Sequence, residues 1–284
     1  MEINAIHVNW TKPFFAKNKD RMYSIDDFEI LSTILSALLW RDLNGPIKLY
    51  TDGAGYEFYR MLGILDIWDG GIDVHTLESI PTSIDPEIYW AAAKIFAIRN
   101  EKAPVVMMDT DLLVWKHLDE LRDIHLAAFH RESLQTDCYI PYDVLKKRKD
   151  YRLDPDWSWS IEPCNTALAY FNDLDFKNYY TQSAIDFMLD NNERPFELVS
   201  QMVFAEQRIF SMCAQKMGIE ILTFLDSAYD GETVDFTHLW GTKSLARDDV
   251  AFNIQLCTSL LNAIRREFPS YEIPQQVLSY VDLD

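Results

Sequence analysis

The stretch "APVVMMDTDLLVW" (residues 103–115) decides how this chain reads. Its apolar run is continuous, as in a strand buried on both faces. The run breaks on Asp109 and Asp111 and then resumes at once. In extended backbone, side chains two positions apart point to the same side. The two carboxylates therefore converge just past the strand's end, where open α/β sheets place their ligands. Carboxylates that close repel one another unless a cation lies between them, and a hard divalent ion with oxygen ligands answers that need. A solvated loop that happens to carry two acids is the plainer alternative.

Outward from this stretch the periodicity alternates. "AIHVNW" (5–10), "IKLYTD" (47–52) and "GIDVHTL" (71–77) read as strands. "SIDDFEILSTILSALLWRDLN" (24–44), "GYEFYRMLGI" (55–64) and "DPEIYWAAAKIFAIRN" (85–100) read as helices, the last with Pro near its first turn. Such alternation predicts an α/β fold, a Rossmann-like mixed and mostly parallel sheet flanked by helices. Residues 131–162 carry Asp, Pro, Trp and Lys/Arg without a period, and are expected to run as loops over one end of the sheet. "TALAYF" (166–171) reads as a returning strand, followed by helices over roughly 176–190 and 196–217. "IEILTFL" (219–225) reads as a further strand, with a polar helical tail from about 245. No Gly/Ser-rich linker or repeat interrupts the 284 residues, so a single domain over 1–284 is expected.

Composition removes several classes of function. The chain has 45 acidic and 26 basic residues, a net charge of −19, which repels phosphate backbones and argues against nucleic acid as a partner. The basic cluster "KKRKDYR" (146–152) reads as a solvated loop; contact with a phosphate or a lipid surface is its alternative, which leaves peripheral membrane contact open. The four cysteines show no short paired spacing, which excludes a zinc knuckle or redox motif and fits a reducing compartment. The N-terminus lacks the basic start and apolar stretch of a signal peptide, and no apolar run approaches the roughly 18 residues of a membrane span. A soluble cytoplasmic protein is expected.

Three further features sit oddly in their surroundings. In "LVSQMVFAEQRIFSMCAQKMG" (198–218), Val199, Met202, Val203, Ile209, Phe210, Cys213 and Met217 form an apolar stripe at helical spacing. Glu206 falls in the middle of that stripe, where burial without a partner would cost several kcal/mol. It is either a paired structural acid or a site residue. Lys94 shares a face with Trp90, Ala91 and Ile98; it either snorkels or reaches the cleft of the acids. "DFTHLWGTK" (235–243) offers an imidazole, a permissive backbone and a cation within six residues. His238 can complete a metal shell or be a structural histidine, while Gly241 beside Lys243 suits close approach to phosphate oxygens.

The order of these motifs resembles a known family. "AAAKIFAIRNEKAPVVMMDTDLLVWKHLDEL" (91–121) is similar to the central segment of glycogenin-like glycosyltransferases, family 8, which have a GT-A fold. There a Lys-bearing helix leads into an apolar strand, an Asp-x-Asp and an Asp-Glu-Leu-type segment. "PCNTALAYF" (163–171) resembles that family's Asn-Ser-Gly strand, "AEQRIFSMCAQ" (205–215) its Asp-Gln helix, and "HLWGTK" (238–243) its His-x-x-Gly-x-x-Lys motif. The resemblance spans Lys94 to Lys243, about half of the chain.

The resemblance implies a hexosyltransferase that moves a sugar from a nucleotide-sugar donor, UDP-sugar favoured, to a carbohydrate acceptor, with retention favoured. Asp109, Asp111 and His238 would hold Mn²⁺ or Mg²⁺ on the donor's diphosphate. Lys243 and the Gly241 backbone would meet that diphosphate, and Lys94 would lie near the sugar or phosphates. Asn165 would contact the donor sugar or acceptor, with Glu206 and Gln207 near the anomeric carbon. Asn9, in "HVNWT" (7–11), sits where the base usually binds. Thr166-Ala167 stand in place of Ser-Gly, Glu206 in place of Asp, and the last motif is one residue shorter before Lys243. Two other readings compete. One is a haloacid-dehalogenase-type phosphatase with Asp109 as nucleophile and Asp111 as acid/base, although Leu113 stands where that pattern has Thr or Val. The other is an inactive transferase fold that only binds sugars or a partner.

Overall fold

Four stretches rich in β-branched and large apolar residues pair side by side to start the sheet. They are β1 (Ala5–Asn9), β2 (Ile47–Thr51), the two-residue β3 (Ile72–Asp73) and β4 (Val105–Met108). The chain then adds β5 (Leu112–Val114), β6 (Leu126–Arg131), β7 (Cys164–Phe171), β8 (Leu222–Leu225) and β9 (Phe236–His238). The computed structural model describes residues 2–135, 137–195, 197–226 and 234–281. The main sheet runs β3-β2-β1-β4-β7-β6-β8, and β7 alone is antiparallel to its neighbours. The mixed, mostly parallel α/β sheet expected from the alternation is the one observed.

Along the helices the order is α1 (Lys12–Lys17), α2 (Asp27–Leu43), α3 (Gly53–Leu62), α4 (Ala92–Asn100) and α5 (Leu174–Asp190). There follow α6 (Leu198–Val203), α7 (Ile209–Met217), α8 (Lys243–Asp248), α9 (Val250–Glu267) and α10 (Gln275–Tyr280). Side chains alternate across β4: Val106 and Met108 join α2, α3 and α9 in one apolar cluster, while Val105 and Met107 join α4, α5 and α7 in another. All four β4 residues are buried, as a strand covered on both faces requires.

The differences from expectation have local causes. Residues 85–91 form turns rather than the first half of a helix, because the Tyr89 hydroxyl is fixed on the Asn191 carbonyl at 2.6 Å. "GIDVHTL" keeps only two strand residues, since the Asp73 carboxylate accepts from the His75 and Thr76 N–H groups and turns the chain. Between α6 and α7 the helix widens into a π turn at Phe204–Arg208, and Val199 is 39% exposed instead of lying in the apolar stripe. β6 completes the far side of the sheet and was not expected. Among the described residues, 132–163 hold no helix or strand, as expected of the excursion. Trp157 is nonetheless buried, and its indole N–H donates to the Tyr179 hydroxyl at 3.1 Å.

No disulfide joins the four cysteines to one another. Among the described residues no helix is long and apolar enough to cross a membrane. "KKRKDYR" is a mostly exposed loop, in which Arg148 pairs with Asp150 and Asp190.

Candidate cation and nucleotide site

The turn after β4 carries the two aspartates and is held from three sides. The Asp109 N–H donates to the Ala167 carbonyl at 2.7 Å, and the Leu112 N–H closes the turn on the Asp109 carbonyl at 3.1 Å. The small β5–β9 sheet sets Leu112 opposite His238, and the Leu239 N–H donates to the Asp111 carbonyl at 3.1 Å. A segment more than a hundred residues away is thereby laid against the turn, and one ligand atom each of Asp109, Asp111 and His238 lies within 4.8 Å of the others.

A buried chain of hydrogen bonds supports the turn from beneath. The Trp68 indole N–H donates to His7 Nδ1 at 3.3 Å, which places the ring proton on Nε2, 3.2 Å from Ser36 Oγ. Ser36 in turn donates to the Leu112 carbonyl at 2.6 Å. Burial lowers the His7 pKa to about 3 against the opposing field of Asp111, so the ring is neutral.

Each aspartate is met by a lysine. Lys94, on α4, lies 2.6 Å from Asp109 Oδ1 and 3.0 Å from Glu206 Oε1. Lys243, at the start of α8, lies 2.9 Å from Asp111 Oδ2 and 3.7 Å from Glu29 Oε1. Burial alone would lower both lysine pKa values, but Asp109 and Glu206 raise that of Lys94, and Asp111 and Glu29 raise that of Lys243. Both are ammonium groups at neutral pH. Burial pushes the Asp111 carboxyl up, yet the Lys243 ammonium outweighs it and the carboxyl stays below the usual range. Burial lowers the His238 pKa against Asp111 and Asp109, so a neutral imidazole faces the turn.

These residues suit a hard or borderline divalent ion: two carboxylate oxygens and a neutral imidazole nitrogen. Asp111 Oδ2 is buried, with the Lys243 ammonium at 2.9 Å and His238 Nε2 at 3.8 Å.

Glu206 is the charge that interrupted the apolar stripe, and it is paired. The Thr166 hydroxyl donates to its Oε1 at 2.9 Å and Lys94 reaches the same oxygen. The π turn aims it there by inserting a residue into the helical register. Lys94, Asp109 and Glu206 thus form one knot, and Asp111, His238, Lys243 and Glu29 another beside it. The other expected site residues lie outside these two knots. Gln207 accepts from the Tyr139 hydroxyl of the excursion. Asn165 donates to Glu132 Oε1 at 3.2 Å and accepts from the Ala167 N–H at 2.9 Å. Gly241 has open space where a Cβ would stand. Asn9 accepts from the Tyr23 hydroxyl at 2.6 Å and lies against Gly55, whose Cβ would come within 2.6 Å of Asn9 Nδ2.

The sequence gives no site signal at Glu29, and marks Thr166 only as a departure from the Ser-Gly pattern. Glu29 completes a capping box with Asp26, so its local pattern reads as a helix start and nothing more. Thr166 lies in an apolar strand, where a lone hydroxyl gives no signal.

Among solved structures, the apo structure of the WbbM bifunctional glycosyltransferase matches at 11% identity and a TM-score of 0.41, over 79% of this chain and 38% of that one. The chain thus spans less than half the length of that protein. Mouse xyloside xylosyltransferase 1 in its apo form matches at 10% identity and a TM-score of 0.40, over 84% of this chain and 97% of that one. An active-site mutant of LgtC matches at 12% identity and a TM-score of 0.37, over 83% and 86% of the two chains. Likenesses of this size carry no argument about the reaction. Among curated proteins none matches the sequence. The sequence model of one family covers residues 4–272, nearly the whole chain, and by that match the protein belongs to DUF6734, a family of unknown function.

Proposed function

We propose that the protein is a metal-dependent glycosyltransferase of GT-A type that moves a hexose from a nucleotide-diphosphate sugar, UDP-sugar favoured, to a carbohydrate acceptor. The observation that carries this reading is the convergence of Asp109, Asp111 and His238 at the carboxyl end of β4. A Mn²⁺ or Mg²⁺ ion there supplies charge to a departing diphosphate. In this reading Lys243 and the open backbone at Gly241 meet phosphate oxygens, and Asn9 at the end of β1 meets the base. Glu206, held in place by the Lys94 ammonium and the Thr166 hydroxyl, stabilises positive charge that develops on the sugar ring as the glycosidic bond breaks. Retention, the course of the family that the motifs resemble, is the course we favour. Gln207 and Asn165, turned toward the 132–163 excursion, orient sugar hydroxyls at the acceptor side.

The test is a panel of UDP- and GDP-sugars with Mn²⁺, followed as released nucleoside diphosphate with and without oligosaccharide acceptors. Release is expected to be slow without acceptor, faster with it, and abolished by chelation. Asp109→Asn and Asp111→Asn variants that turn over donors like the parent would sink the proposal. So would phosphate release from simple phosphomonoesters with no reaction on any sugar donor.

A further inference from the structure

The two lysines of the site occupy a particular place: each stands between one candidate ligand of the cation and one carboxylate outside that set. Lys94 bridges Asp109 (2.6 Å) and Glu206 (3.0 Å), and Lys243 bridges Asp111 (2.9 Å) and Glu29 (3.7 Å). Either lysine can therefore leave its aspartate and keep a partner. Arg247 extends the second knot, at 3.3 Å from Glu29 Oε1 and 2.6 Å from Asp26 Oδ2.

We propose that Lys94 and Lys243 are internal counter-ions of the cation site, exchanged for a divalent metal only when a phosphate-bearing ligand arrives to receive them. The inference rests on the cation reading above and adds to it how the site is loaded. A cation bound to Asp109 and Asp111 lies next to two ammonium groups held on those same carboxylates, and like charges at such range repel strongly in a half-buried site. The cation alone must displace both lysines onto Glu206 and Glu29 and leave them crowded beside it. A diphosphate removes that penalty, because its oxygens ligate the cation and accept the ammonium groups together. Lysine suits the exchange, being a compact charge on a flexible stem that can swing between acceptors. Neither ligand then binds well alone. By linkage, each strengthens the other by the same factor.

Calorimetric or EPR titration of Mn²⁺ into the full chain, with and without saturating UDP and corrected for Mn²⁺–UDP association in solution, measures this factor directly. Mn²⁺ is expected to bind weakly alone and roughly 5–150-fold more tightly with UDP, the range of ordinary coupling. UDP should gain equally from Mn²⁺. Lys94→Met and Lys243→Met are each expected to tighten Mn²⁺ binding in the absence of UDP by about tenfold and to shrink the coupling factor. Variants whose Mn²⁺ affinity and coupling match the wild type would overturn the counter-ion role. The wild-type measurement needs no variant to fold: a coupling factor near one, with Mn²⁺ bound tightly alone, overturns this inference and leaves the cation site standing. No Mn²⁺ binding under either condition would remove the cation site itself.

Discussion

Acidification reads out His7. In the unfolded chain its ring takes up a proton below about pH 6.5, whereas burial in the folded chain keeps it neutral down to about 3. Throughout that window the unfolded state binds one more proton, so stability falls as pH falls, by about 1.36 kcal/mol per unit. From pH 6.5 to about 5 this one ring removes about 2 kcal/mol, and above about pH 7 it removes nothing. Other groups titrate over the same range, so the contribution must be isolated by comparison with His7→Gln. The Gln side chain can accept from Trp68 and donate to Ser36, but it does not titrate. Urea unfolding followed by tryptophan fluorescence, run on both proteins from about pH 7.5 to 5, gives the difference in unfolding free energy at each pH. The wild type is expected to lose about 2 kcal/mol more than the variant, which for a slope of about 3 kcal/mol/M is roughly 0.7 M in urea midpoint. A difference that stays flat with pH would show that the ring is not a buried neutral link, and the Trp68–His7–Ser36–Leu112 chain would lose its basis.

Other perturbations reach different parts of the structure. In Gly55→Ala the new Cβ would lie 2.2 Å from Thr51 Oγ1 and 2.6 Å from Asn9 Nδ2; a loss of about 1–3 kcal/mol and weaker UDP binding are expected, and unchanged values in thermal unfolding and titration would refute the close packing at the end of β1. Lys177 is buried and donates to the carbonyls of Ile98, Arg99 and Glu101 at the end of α4. Lys177→Met should cost about 3 kcal/mol or more by chemical denaturation, because carbonyls are left without a donor; a neutral result would mean that water replaces the lysine. For the Thr166–Glu206 contact, a double-mutant cycle of Thr166→Val and Glu206→Gln is expected to show a coupling of about 1 kcal/mol. Strict additivity of the two stability changes would contradict that bond.

How legible all this was in the sequence varied with the length scale of the signal. Strand β4 and its aspartates were readable because four buried apolar residues followed by two charges two apart is a local pattern. The long helix α2 was readable from its Ser/Asp start and Asn-Gly stop. The second strand of the small sheet was not, since three residues of β9 carry no periodicity and acquire their meaning only by pairing with β5. His238 was placed near the aspartates through the order of motifs and a family resemblance; the backbone contact that brings it there joins residues whose separation exceeds any local window. β6 escaped because "LAAFHR" is short, alanine-rich and ends in charge. Glu206 stood out for the right reason, as a charge in an apolar stripe, but its partners Lys94 and Thr166 lie on two other elements. The stripe itself was drawn at uniform helical spacing, and the π turn shifts that spacing midway.

The reversed direction of β7 has an evolutionary consequence. The last residue of β6, Arg131, pairs with the first of β7, Cys164, so the whole intervening excursion leaves and re-enters the sheet at one rung of one ladder. Closing a longer loop over the same rung costs only about 0.6 kcal/mol per doubling of its length. β4, which leads into the turn of the two aspartates, is joined to the opposite edge of β7 and does not register such changes. The excursion is therefore a cassette. Provided that anchors such as the buried Leu145 and Trp157 stay seated, it can change in length and sequence without moving the turn that brings Asp109 and Asp111 together.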